Sequence, residues 1–115
     1  MREAKWTKMI CKELQRYWDV VALVGGARQR SGLPDRMLIG HGVVVFIEFK
    51  GADTKLMLNQ RKTLHDWTHQ RRVPCFVARF PGELFTVSSG PGMPLCRVGG
   101  FANGSDLHKL LLMLL

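Results

Sequence analysis

Several features that would assign a chain quickly are missing from this one. Its three cysteines, Cys11, Cys75 and Cys96, are odd in number, far apart and form no C-x-x-C pair. That argues against a disulfide framework or a cysteine zinc site and fits thiols kept reduced in a cytosolic compartment. The histidines give no ligand constellation either. His65 and His69 stand at i, i+4, a helical spacing that suits zinc, but no third ligand accompanies them. The N-terminus mixes charged and apolar residues and lacks the apolar stretch of a signal peptide. The leucine-rich end, residues 110–115, is too short to span a bilayer. No internal repeat is visible, so residues 1–115 read as one domain, placed in the cytoplasm and not in a membrane.

Acidic residues are also scarce. Nine Asp and Glu stand against 17 Lys and Arg, a net charge of +8 on 115 residues. Such a surplus draws polyanions toward the surface; nucleic acid is the first candidate and an anionic membrane surface the second. The hydrophobic fraction of 46% is ordinary for a globular chain and supplies a modest core.

Hydrophobic periodicity predicts a helix over residues 3–18, with Trp6, Met9, Ile10, Leu14 and Tyr17 as its apolar stripe and Lys5, Lys8, Lys12 and Arg16 on the other side. Strands are expected at 20–24, 36–39 and 43–50. Gly25-Gly26 ends the first, and Gly40-His41-Gly42 joins the second and third as a hairpin. A second helix is expected over 55–72, with Leu56, Gln60, Leu64 and Trp67 on one side. Strands at 73–79 and 84–87 follow, then a Gly-, Ser- and Pro-rich loop over 88–104. A last helix is expected over 107–115, capped by Ser105-Asp106 and apolar nearly all round. A helix of that kind is buried, either on its own sheet or against a second subunit. The order α-β-β-β-α-β-β-α implies an α/β or α+β domain with a mixed sheet and helices packed against it.

The most telling stretch is Phe46-Ile47-Glu48-Phe49-Lys50. Strand side chains alternate, so Glu48 and Lys50 share a face at the end of an otherwise apolar strand. Burying a charged pair there without a purpose costs several kcal/mol or more. Asp35, at the turn Gly32-Leu33-Pro34-Asp35, supplies a second acid just before the preceding strand. Two carboxylates, with the carbonyl of Phe49 between Glu48 and Lys50, are suited to hold a hard divalent cation. Lys50 is then placed to offset negative charge developing on a phosphate, so the set is suited to phosphodiester hydrolysis.

Gly32-Leu33-Pro34-Asp35, Ile47-Glu48-Phe49-Lys50-Gly51 and the downstream Gln60-Arg61 resemble the PD-(D/E)xK nuclease superfamily, and within it the VRR-type (virus-type replication-repair, VRR-NUC) nucleases. The resemblance covers roughly residues 3–79. It implies a restriction-endonuclease-like α/β core with a mixed central sheet flanked by helices, and Mg²⁺- or Mn²⁺-dependent cleavage of DNA. It also implies roles: Asp35 and Glu48 as metal-binding acids, Lys50 as catalytic lysine, and Gln60 as the helix glutamine that supports the site. An acid on the first helix belongs to the pattern; Glu3 is the better positional match and Glu13 the alternative. Small stand-alone members resemble Holliday-junction resolvases, which implies a homodimer acting on branched DNA, most of all a four-way junction, in DNA repair. A flap or splayed-arm nuclease and a non-catalytic DNA-binding module are the alternatives. The small size fits a phage or prophage origin, in a bacterial or phage-infected cell. Arg28, Arg30, Arg36, Lys55, Arg61 and Lys62 are the expected phosphate contacts. The short segment before Pro34 lacks the family's usual lysine, and the chain after Arg79 has no counterpart in the resemblance.

Overall fold

A computed structural model describes residues 2–23 and 31–115. In chain order the elements are α1 (Glu3–Leu14), β1 (Asp19–Ala22), β2 (Arg36–Gly40), β3 (Val43–Lys50), α2 (Leu58–His69), β4 (Cys75–Arg79), β5 (Glu83–Val87), β6 (Leu95–Gly100) and α3 (Gly104–Leu114). The six strands form one sheet in the order β1-β2-β3-β4-β5-β6. Every neighbouring pair is antiparallel except β3 and β4, which run parallel because α2 carries the chain between them.

Alternation along β3 divides the core in two. Val45, Ile47 and Phe49 face α1 and α3, packing with Trp6, Ile10, Leu14, Leu107 and Leu111. Phe46 points the other way, where Leu56, Leu64 and Trp67 pack with Cys75, Val77 and Val87. Glu48 and Lys50 have the parity of Phe46 and so lie on the α2 face. This is the mixed sheet with flanking helices that the sequence predicts, with one strand more.

That strand is β6. It falls inside the segment 88–104 that composition assigns to a loop. Pairing with β5 overrides the local preference, and Gly99 has a use there: a Cβ on it would lie 2.7 Å from Leu110 Cδ1, so the glycine lets α3 close onto the sheet. Other differences are local. Helix α1 stops at Leu14, short of Tyr17; Met9 and Tyr17 are exposed, and Cys11 joins the buried stripe. Helix α2 begins at Leu58 because Leu56 is buried from extended chain before it, and it ends at His69 ahead of Arg72, whose φ is 60°. Helix α3 is capped by Asn103, whose side chain accepts the Asp106 N–H, and not by Ser105-Asp106. Its inner face, Leu107, His108 and Leu111, is buried in the chain's own core, while Leu112 to Leu115 are exposed. Val24, the Gly25-Gly26 break and the loop bearing Arg28 and Arg30 lie outside the described residues.

Helix α3 meets α1 at Gly104. A Cβ there would collide with the Glu13 Cβ and lie 2.9 Å from the Ile10 carbonyl oxygen. Gly104→Ala is therefore expected to lower unfolding stability by about 1–3 kcal/mol, the range for overpacking. Urea denaturation measures it, and a variant as stable as the parent would mean that the two helices do not approach so closely.

Candidate active site

The β2–β3 register begins at Arg36↔Ile47 and, continued one step, sets Asp35 opposite Glu48. Pairing stops there, and the two strands part. On β3 the Phe46 N–H bonds the Pro74 carbonyl and the Lys50 carbonyl accepts from Phe80, so even-numbered backbone groups face β4. The Phe49 N–H and C=O consequently face the gap where β2 has ended. Asp35 Oδ2 fills part of that gap by accepting the Phe49 N–H at 2.9 Å. The turn holding Asp35 is anchored in turn, since its carbonyl accepts from Leu23 N–H at 2.7 Å and from Arg36 Nη1 at 3.1 Å.

Glu48 is 3% exposed. Its Oε2 accepts from Gln60 Nε2 at 2.8 Å and lies 3.3 Å from Lys50 Nζ. Its Oε1 is buried and has no hydrogen-bond partner among the described residues. Gln60 is itself held, because its Oε1 accepts the Met57 N–H at 3.0 Å across the first turn of α2. Burial, reinforced by the neighbouring Asp35 carboxylate, pushes the Glu48 carboxyl up to about 7 despite the opposing pull of Lys50. The group thus lies near the point of ionisation at neutral pH.

Glu3 stands at the rim. A Cβ on Gly51 would be 3.0 Å from Glu3 Oε2, and Glu3, Thr7, Asp35, Arg36 and Phe49 line a cleft of about 280 Å³. Glu13 lies elsewhere, with its Oε1 accepting the Gly104 N–H at 3.3 Å near the start of α3. The structure therefore brings together Asp35, Glu48, Phe49, Lys50 and Gln60; Glu3 meets this set only through the cleft it shares with Asp35 and Phe49 on the α1 side, and Glu13 lies outside. Lys55 and Lys62 are exposed, whereas Arg61 is partly buried and its Nη1 is committed to the Met93 carbonyl. One contributor is not apparent from sequence. Arg79, paired with Lys50 across β3–β4, donates to the carbonyls of Gly51 and Thr54 at 2.9 and 2.6 Å and fixes the loop after Lys50. Its only sequence signal is a cation at the end of an apolar strand.

Among the described residues, no group of three or more His, Cys, Asp or Glu side chains could hold a metal ion. A cation here would draw on two carboxylates, Asp35 and Glu48, with the Phe49 carbonyl and water completing its shell. That oxygen set suits Mg²⁺ or Mn²⁺, ions that keep several waters. The unpartnered Glu48 Oε1 is the sign that fits such a ligand: a buried carboxylate oxygen is costly to leave unsatisfied.

No protein-family model matches the chain, and no curated protein matches it in sequence. Among solved structures it is similar to Hjc of Archaeoglobus fulgidus, a Holliday junction resolvase from an archaeal hyperthermophile. The TM-score is 0.58 at 13% identity, covering 80% of this chain and 84% of that one. The fold is the restriction-endonuclease-like one expected from the sequence. No described helix is long and apolar enough to cross a membrane.

Proposed function

We propose that the chain is a divalent-metal-dependent DNA endonuclease that hydrolyses phosphodiester bonds in branched DNA, with a four-way junction as its foremost substrate. The observation that carries the reading is the parting of β2 and β3, where Asp35, Glu48 and the Phe49 backbone converge beside Lys50 and Gln60. The likeness to a resolvase in fold supports it. The Gly-x-Pro-Asp turn and Gln60 support a VRR-type nuclease, in a small, phage-like form.

In hydrolysis the oxygen of water forms a bond to phosphorus, the bond to one sugar oxygen breaks, and that oxygen takes up a proton. Mg²⁺ or Mn²⁺ held by Asp35, Glu48 and the Phe49 carbonyl would polarise the phosphate and lower the pKa of water. The protein supplies the rest. Lys50 places an ammonium where negative charge grows on the phosphate oxygens. Gln60 holds one oxygen of the Glu48 carboxylate and so fixes the orientation of the group. Glu3 and Arg36 frame the entrance, Glu3 as a further acid at the rim and Arg36 as a cation toward DNA.

A junction offers two strands to cut, which a homodimer serves with two sites. The exposed apolar row Leu112 to Leu115, with Met113 81% exposed, is the surface we assign to that contact. The test compares labelled four-way junction, flap, splayed-arm and linear duplex substrates in Mg²⁺ or Mn²⁺, beside a mass measurement in solution. Preferential cutting of the junction by a species of twice the chain mass is expected. Preference for the flap or splayed arm makes the chain a nuclease of that kind, and binding without cutting in either metal makes it a DNA-binding module.

A further inference from the structure

A second depression begins where the cleft ends. It lies between α1 and the outer strands of the sheet and has a volume of about 600 Å³. Ala4 and Arg36 line both hollows, so the two adjoin. From Ala4 to Gln15 the groove follows α1 for about 16 Å, at 1.5 Å per residue. Lys8 and Lys12, one helical turn apart and exposed, stand along its wall, and the buried Cys11 closes its floor. No described acid pairs with either lysine. Like charges at i, i+4 weaken a helix, and Lys5 adds a third cation to the same stripe. Arg36 turns the corner. One guanidinium nitrogen holds the Asp35 carbonyl, which leaves further N–H donors for an anion.

We propose that this groove is a phosphate track, in which Arg36, Lys8 and Lys12 hold successive phosphates of one DNA strand as it leaves the cleft. The inference rests on the nuclease reading for the direction of the strand, but its residues are separate from the hydrolytic set. A line of cations that no acid neutralises among the described residues, set in a concave channel, fits a phosphodiester backbone. An anionic membrane would be met instead by a convex face with apolar side chains to insert. The channel contributes affinity and register without reading sequence, as backbone contacts do.

The test is binding of a fluorescent four-way junction, in EDTA so that nothing is cut, at a series of salt concentrations. Lys8→Ala/Lys12→Ala is expected to bind at least about tenfold more weakly than wild type near physiological salt, with a log–log salt slope reduced by about 2 for each protomer bound, at about 0.9 per phosphate contact. Lys8→Arg/Lys12→Arg keeps both, and Lys109→Ala, on α3, changes neither. Alanine is the better helix former, so the double variant should melt no lower than wild type, which excludes unfolding as the cause. An unchanged slope in the double variant, or no binding by the wild-type protein, overturns the track. The two readings fail separately. Cutting by wild type with an unchanged slope removes the track alone, and a reduced slope without cutting in Mg²⁺ or Mn²⁺ removes the nuclease alone.

Discussion

Lys50→Ala is expected to slow metal-dependent cleavage by about 10²–10³-fold under single-turnover conditions, the usual loss when one preorganised charge stabiliser is removed. Junction affinity should change little. Lys50 is only 9% exposed and its Nζ is 3.3 Å from Glu48 Oε2, so it adds almost nothing to the outer basic surface. Its effect is local and electrostatic: in a water-poor site an ammonium acts on charge that appears in the transition state far more strongly than it would in bulk water. The backbone does not depend on the side chain, because the Lys50 carbonyl still accepts from Phe80 and β3 still pairs with β4. A drop of less than threefold would mean that Lys50 serves only to balance Glu48.

Glu48→Gln separates stability from activity in an unusual direction. The folded-state pKa of about 7 lies above the ordinary 4.5. Between those values the unfolded chain has given up its proton and the folded chain has kept it, so folding stability falls as pH rises through this window. A gap of that size corresponds to about 3 kcal/mol. Glutamine mimics the protonated acid and removes the burden. Without metal, the variant should match wild type near pH 4.5 and exceed it by up to about 3 kcal/mol at pH 8. Taking the difference between the two proteins cancels titrations they share. Mn²⁺ should raise the melting temperature of wild type at pH 8, much less at pH 5.5 where protons compete, and not at all in the variant. Cleavage by the variant should be lost. A variant less stable than wild type at pH 8 in EDTA would contradict the raised pKa. An equal Mn²⁺ shift in both proteins would place the metal elsewhere.

How far the sequence carried depends on the kind of interaction at each residue. Residues 43–50 could be bounded as β3 because apolar content, turn glycines and alternation agree there, and alternation alone put Glu48 and Lys50 on one face. Motif spacing points to Asp35 and Gln60, but not to their partners. That Asp35 Oδ2 takes the Phe49 N–H depends on β2 starting one residue later, and that Gln60 bridges Glu48 and the Met57 N–H depends on where α2 starts. The choice of Glu3 over Glu13 as a neighbour of the cleft follows from where α1 packs, with its first residue beside Gly51 and its last turn beside Gly104. The sixth strand was hidden because its glycines weaken strand propensity, and only the partners, β5 and Leu110, reveal their use. Periodicity places Lys8 and Lys12 only on the side of α1 away from the apolar stripe; the outer strands that form a wall opposite them come from the fold.

Hydrolysis at the Asp35–Glu48–Lys50 cluster is tested most directly by incubating the wild-type protein with an end-labelled four-way junction in Mg²⁺ or Mn²⁺ and resolving the strands on a denaturing gel. Discrete shortened strands that appear with either metal and vanish in EDTA are predicted. A junction that is bound but remains intact in both metals would contradict the account.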